Sequence, residues 1–267
     1  MALVPFPSQL PDRDDEPEVD ESIDASGKMS FLEHLDELRK RLIGCAYSLL
    51  FGCFVAFWFV KDIEQFVMLP LKAMMGDQKF IYTSGFDPFL LMMKIGALAG
   101  LMIASPLIIY QLWLFIAPGL YTHEKKFAVP FIFFSTIFFL GGAAFSHYVA
   151  FPWAWQFFLS WETNYMQFMP DIKPMFSTYV KMLLAFGLVF QMPTLVFFLA
   201  KMGVVTGRFL VRNTKYAVLI IFIVAAVLSP GTDVVSQALM AGPMLALYGF
   251  SIIVAYIFQK RKPKLAN

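Results

Sequence analysis

Six long apolar runs constrain this chain more than any other feature of its sequence. They lie at about 42–60, 92–114, 127–149, 175–199, 215–229 and 235–257. A helix needs about 20 apolar residues to cross the hydrocarbon core of a bilayer, so these runs predict membrane-spanning helices. The composition agrees, because 59% of the 267 residues are hydrophobic and only 15% are charged. We therefore predict an all-α membrane protein with six transmembrane helices.

The two ends of the chain are polar. Residues 1–28 carry eight carboxylates and four prolines without apolar periodicity, and such a composition predicts a disordered acidic tail. This tail lacks the apolar segment of a secretory signal. We expect residues 29–259 to form the membrane domain and residues 260–267 a short basic tail.

The distribution of lysine and arginine predicts the orientation. Fifteen of the 21 basic residues lie on the same side as the two termini, and the other six lie on the opposite side. Basic loops favour the cytoplasmic side of a membrane. We therefore expect both termini in the cytoplasm.

The predicted spans differ in length and most contain proline. The fifth, at 215–229, reaches only about 22 Å at 1.5 Å per residue. A Pro-Gly turn follows it, and this turn predicts a tight antiparallel pair of short fifth and sixth spans. Proline tends to kink a helix, and the spans contain Pro106, Pro130, Pro193 and Pro243. Together these features favour a kinked, cupped bundle.

The segments at about 61–91 and 150–174 are long and lie on the predicted outer side. The second is rich in tryptophan, which is typical of a membrane–water interface. We expect short helices here that cap the outer surface.

Sequence patterns of enzymatic chemistry are missing. The three histidines are scattered, and no zinc-protease, serine-hydrolase, CxxC or nucleotide-binding pattern occurs. We predict a protein that is not an enzyme and uses no cofactor or metal, and the net charge of +2 is too small to indicate nucleic acid. A small-solute carrier or channel is one alternative, although the spans lack the deep carboxylate of many carriers. A structural assembly factor is another.

Acidic residues crowd the start of the first span, where basic residues are expected. In FLEHLDELRKRL, Glu33 lies three residues after Ser30, which is the spacing of a capping box. Glu37 precedes Arg41 by four residues and can pair with it on a helix. Capping and local pairing therefore explain these acids when the segment is considered alone.

Another acidic residue lies in the loop after the second span. In YQLWLFIAPGLYTHEKK a Pro-Gly pair ends the helix, and Glu124 follows among basic residues. The simple interpretation is a surface ion pair with Lys125, Lys126 or Arg39.

Taken in order, several segments resemble the TatC family, the multispanning receptor subunits of the twin-arginine protein translocase. They are FLEHLDELRKRL, MLPL, SPLIIYQLWLFIAPGLYTHEKK, FPW, AFGLVFQMP and LSPGTDVVSQALMAGPM. The resemblance runs from about residue 30 to the end of the chain. It implies a receptor in the bacterial cytoplasmic (inner) membrane that binds twin-arginine signal peptides of folded proteins. It also implies hetero-oligomers with TatA and TatB and transport driven by the proton motive force.

The resemblance further implies which residues bind the signal peptide. The family's two arginine-reading acids correspond to Glu37 and Glu124. Guanidinium groups favour bidentate, charge-assisted bonds to carboxylates, so the chemistry is coherent. Trp113 and Phe115 would receive the apolar part of the signal or brace the loop, and Arg39 would hold the two acidic elements in register.

One position departs from the family pattern. Many members carry a glutamate within the fourth span, where this chain has Gln191. An amide keeps hydrogen-bonding capacity without placing a charge in hydrocarbon. We expect Gln191 to lie on the concave face and contact a polar group of TatA or TatB. An interhelical hydrogen bond inside the bundle is the alternative.

Three more residues match family motifs. Asp233 and Gln237 lie in SPGTDVVSQ, at the outer end of the fifth and sixth spans. Asp233 directly precedes an apolar run, which predicts a helix N-cap. Pro70 lies in MLPL, where a structural turn is the simpler interpretation.

Overall fold

The architecture comes from a computed structural model that describes residues 31–259, except 77–78, 117–127, 162, 164, 166–168, 230 and 232. The chain divides into two units, Met1–Arg39 and Lys40–Asn267, and each is described by itself. Across the described residues the regular structure is helical, apart from a single bridge between Ile81 and Asp171. The all-α prediction is thereby confirmed for this part of the chain.

Eleven α-helices and one π-helical turn follow one another along the described residues. They are α1 (Phe31–Trp58), α2 (Val60–Val67), α3 (Leu69–Met75), α4 (Asp87–Ile116), α5 (Ala128–Phe145), the π-turn (Ser146–Ala150), α6 (Phe151–Leu159), α7 (Ile172–Val189), α8 (Met192–Lys201), α9 (Gly207–Arg212), α10 (Thr214–Leu228) and α11 (Val234–Phe258).

Five apolar stretches of this helical chain are long enough to cross a membrane. They are His34–Trp58, Asp87–Phe115, Val129–Leu159, Ile172–Lys201 and Val234–Phe258. The third joins α5, the π-turn and α6, and the fourth joins α7 and α8. A shorter apolar helix, Thr214–Leu228, occupies the position predicted for a short fifth span. The chain is thus a multi-pass membrane protein.

The prediction of a short sixth span was wrong. Helix α11 has 25 residues, because Asp233 caps its start and apolar residues continue to Phe258. Pro243 lies inside α11 without ending it, and Pro106 lies inside α4 in the same way. The chain does break near Pro193, where α7 stops at Val189 and α8 begins at Met192.

The two segments predicted to form short helices do so. Helices α2 and α3 follow α1, and α6 follows the π-turn. Helix α3 packs against α6, with Leu71 and Phe151 fully buried between neighbouring elements.

Glycine allows the closest helix contacts in the second unit. Gly52 of α1 lies against the carbonyl of Gly100 on α4, and a β-carbon at Gly52 would overlap it. Gly142 of α5 approaches the carbonyl of Phe186 on α7 in the same way. Close backbone contact through small residues is how helices associate in lipid, where burial of apolar surface adds no driving force.

Candidate functional site

The acidic turns of α1 supply the first part of the predicted site. Helix α1 begins at Phe31, close to the predicted start, and Glu37 lies in its second turn. The Glu37 side chain is half-buried, whereas Asp36 and Arg39 are exposed. A half-buried carboxylate is less screened by water and salt than an exposed one, so Glu37 is the better placed of these acids to bind a cation.

The second part of the predicted site falls outside the described residues. Glu124 lies in the undescribed loop 117–127, and Ser30 precedes the first described residue. The capping box and the meeting of Glu37 with Glu124 therefore stay predictions.

Trp113 lies near the end of α4 and is only 2% exposed. Its ring packs against Phe131 of α5 and Phe198 of α8, with centroids 4.5 and 5.1 Å away. Such tilted and edge-on aromatic contacts hold three helices together. Phe115, two residues on, is half-buried. The position of Trp113 suits bracing of the helix end that leads into the undescribed loop.

Gln191 lies at the break between α7 and α8. Its side-chain Nε2 donates a hydrogen bond of 2.8 Å to the backbone carbonyl of Ser135 on α5. The Gln191 side chain is half-buried. The hydroxyls of Ser135 on α5 and Thr194 on α8 are buried and have no hydrogen-bond partner among the described residues. The amide donor thus satisfies a carbonyl that a deprotonated carboxylate would repel.

Asp233 is the N-cap of α11. Its carboxylate accepts a hydrogen bond of 2.8 Å from the backbone N–H of Ser236, and the Ser236 hydroxyl donates another. These bonds hold the pKa of Asp233 below its ordinary value. Gln237 Nε2 donates to the carbonyl of Phe222 at 2.8 Å, which ties α11 to α10.

Pro70 lies in the first turn of α3 and is buried. A helix start suits proline, because the missing N–H has no intrahelical partner there. Met68 is both the C-cap of α2 and the N-cap of α3, so Pro70 lies where the second helix begins.

A buried polar pair escaped the sequence analysis. Nδ1 of His147, in the π-turn, lies 2.8 Å from the hydroxyl of Tyr179 on α7. The imidazole stacks on Phe66 of α2 with centroids 4.7 Å apart, and its Nε2 is buried without a partner in the described structure. The two residues are 32 positions apart, so no local spacing could have indicated the pair.

An ion pair at the start of α4 was also missed. Asp87, the first residue of α4, is 3% exposed in its side chain and lies 3.7 Å from Nζ of Lys173 on α7. Its carboxylate also accepts the N–H of Ser84 at 3.1 Å, which closes the turn that leads into α4. The segment FDPF carries the local signal, since aspartate before an apolar run favours a helix start.

The described residues hold no cluster of three histidine, cysteine or acidic side chains suited to a metal. Cys45 and Cys53 both carry free thiols. The chemistry available on the described surface is therefore that of hydrogen bonds, single charges and apolar contact.

Comparison with known proteins identifies relatives along most of the chain. The family model for the Sec-independent protein translocase protein TatC matches residues 33–243. The TatC protein of Koribacter versatilis is 40% identical over 233 residues, which cover 86% of each chain. That of Desulforapulum autotrophicum is 41% identical over 236 residues, or 88% of this chain and 87% of the relative.

A solved structure shares the fold. The crystal structure of the twin arginine translocase receptor TatC superposes with a TM-score of 0.76 at 36% sequence identity. The match covers 84% of this chain and 99% of that one.

Proposed function

The chain belongs to the TatC family of Sec-independent protein translocases, and from this membership we propose that it is the receptor for twin-arginine signal peptides. The family comprises translocase components and not enzymes. The observation that carries the proposal is the family match over residues 33–243, which includes both Glu37 and the loop with Glu124.

Two carboxylates are the chemistry that paired arginines require. Each guanidinium presents a planar fork of donors, and a carboxylate accepts two of them in parallel. Glu37, half-buried on α1, is the first acceptor in this proposal, and Glu124 is the second. Lysine offers no such fork, so the site distinguishes RR from KK.

The residues around these acids have supporting roles. Trp113 anchors the end of α4 through its contacts with Phe131 and Phe198, and thereby positions the loop that carries Glu124. Phe115 contributes apolar surface next to that loop, where the hydrophobic part of a signal peptide would lie. Arg39 keeps the acidic elements in register.

The wider assembly follows from the same membership. TatA and TatB subunits join this chain in a hetero-oligomer of the bacterial inner membrane, with both termini in the cytoplasm and the proton motive force driving transport. Gln191 is the residue we assign to contact with a polar group of TatA or TatB. Its bond to the Ser135 carbonyl uses one amide hydrogen and leaves the amide oxygen to accept from a partner.

Crosslinking tests the receptor role. A photoreactive residue at position 125 is presented with a signal peptide carrying RR or KK, in the wild type and in Glu37→Gln, Glu124→Gln and Asp36→Asn. Loss of one charged hydrogen-bond partner weakens binding roughly 10- to 100-fold, so both glutamine variants should lose the RR adduct. Asp36→Asn is the matched control and should retain it. Adducts indifferent to RR, Glu37 and Glu124 would contradict the proposal.

Crosslinking to TatA or TatB tests the role of Gln191. Gln191→Leu should reduce crosslinking to TatA or TatB, whereas Thr194→Val, one turn away, should leave it unchanged. Gln191→Glu should retain the contact if any polar group suffices there. If Gln191→Leu crosslinks as well as the wild type, the proposed contact with TatA or TatB is wrong, and Gln191 serves only the hydrogen bond between helices.

A further inference from the structure

A groove of about 350 Å³ lies between α5, α8 and α11. Its walls are almost wholly apolar and include Phe131, Phe134, Phe197, Phe250, Val254 and Phe258. The three α11 residues are spaced four apart, so they line one helix face over about 12 Å. The groove is therefore a slot parallel to the helix axes.

The slot ends at a positive charge. Nζ of Lys201, the last residue of α8, lies 5.7 Å from the ring centroid of Phe197. The Phe197 ring meets Phe258, the last residue of α11, at 4.8 Å. The apolar slot and the lysine are thus continuous, with the lysine at the helix ends.

The start of α9 is tied to the same end of α11. The backbone N–H of Gly207 donates to Oε1 of Gln259, the residue after Phe258, at 3.2 Å. Arg208 follows Gly207 directly and its side chain is exposed. The start of α9, which carries Arg208, is thus hydrogen-bonded to the chain directly after α11, while the walls of the slot are almost wholly hydrocarbon.

We propose that this slot binds one anionic phospholipid of the bilayer, with an acyl chain along the aromatic wall and the phosphate at Lys201. The shape suits an alkyl chain, which can lie along the apolar face formed by Phe250, Val254 and Phe258. Charge favours an anionic headgroup, because one lysine near a membrane surface contributes a preference of about fivefold.

Native mass spectrometry of the full chain tests the site. The protein is reconstituted in vesicles of phosphatidylcholine and phosphatidylglycerol at 4:1, extracted in mild detergent, and analysed for retained lipid. The wild type should keep one phosphatidylglycerol, enriched about fivefold over its share of the vesicle. Val254→Trp fills the slot and should abolish retention. Lys201→Gln, which removes the charge but keeps a long side chain, should keep one lipid but lose the preference for phosphatidylglycerol.

Two control variants separate the site from the general surface. Ile253→Trp places the same ring on the exposed side of α11, and Lys181→Gln removes an exposed lysine of α7. Both should behave as the wild type. Equal retention of the two lipids by the wild type, or equal loss of lipid in Ile253→Trp and Val254→Trp, would overturn the proposal. A retained second copy or partner helix in place of lipid would also overturn it.

Discussion

Two apolar spans of this chain differ sharply in how they are packed. In the most apolar stretch of α1 only 17% of the residues are buried, whereas 50% are buried in the span formed by α7 and α8. Phe54 of α1 is 72% exposed, while Phe176, Tyr179 and Phe186 of α7 are almost fully buried. Lipid is as apolar as a protein core, so apolarity alone does not distinguish a central span from a peripheral one.

The two spans also differ in the polar and apolar surfaces that they present. The packed span carries two polar contacts between helices, namely the buried pair of Tyr179 and His147 and the half-buried bond from Gln191 to Ser135. Glu37, the proposed signal-binding residue, lies in the second turn of α1. Beyond these first turns α1 carries a broad apolar face that the other described elements leave exposed. If the proposed receptor role holds, this uncovered face next to Glu37 is available to a signal peptide or a single-span subunit. The packed span instead supplies the rigid scaffold.

The largest expected effect tests the comparison directly with one substitution at two positions. Phe186→Ala empties a site that is 1% exposed and in contact with Phe145, and should destabilise the protein by about 3–5 kcal/mol. Phe54→Ala removes a side chain that faces outward and should change stability by less than about 0.5 kcal/mol. Unfolding in mixed detergent micelles at increasing dodecyl sulfate measures both. Equal losses would mean that α1 is packed as tightly as α7.

A smaller effect is expected where helices touch through glycine. Gly142→Ala places a methyl group against the carbonyl of Phe186, and the required backbone shift should cost about 1–3 kcal/mol. Gly141 has open space around it, so Gly141→Ala should be neutral or slightly stabilising. The same unfolding assay compares these neighbours. A neutral Gly142→Ala would show that α5 and α7 can separate freely.

The buried polar pair should contribute less again. Tyr179→Phe removes the hydroxyl from Nδ1 of His147 and should cost about 1 kcal/mol. The double variant with His147→Phe removes both polar groups and should recover much of that loss. Tyr148→Phe, at a side chain 62% exposed, is the control and should be silent. Additive losses in the double variant would show that the two groups are not coupled.

Local sequence signals predicted a large part of this structure. The apolar runs located the spans, and the Asp after Ser-Pro-Gly-Thr located the start of α11, because both signals act within a few residues. The sixth span was expected to be short because a Pro-Gly turn pairs it with the short fifth span, but a tight turn does not limit the length of the helix that follows it. Among the described residues, Pro193 does mark a break in the helix, and Pro70 marks a helix start.

Contacts between distant segments could not be predicted. His147 meets Tyr179 across 32 positions, and Gln191 meets Ser135 across 56. Their register depends on how α5 and α7 cross, which is set by Gly142 and the surrounding aromatic residues. The role of Trp113 as a brace or a ligand contact was open for the same reason, since its partners on α5 and α8 lie outside its own motif.

The smallest effect is expected for the cap of α11, since its charge lies in water and outside the packed span. Hydrogen bonds from Ser236 hold the pKa of Asp233 below its unfolded value near 3.9. The stabilisation is therefore present above about pH 4 and is lost as the pH falls through the lowered pKa. Asp233→Asn keeps a good N-cap but cannot titrate, so its melting temperature should fall less than that of the wild type between pH 5 and pH 2.5. Identical acid profiles for Asp233→Asn and the wild type would show that the cap is not linked to protonation.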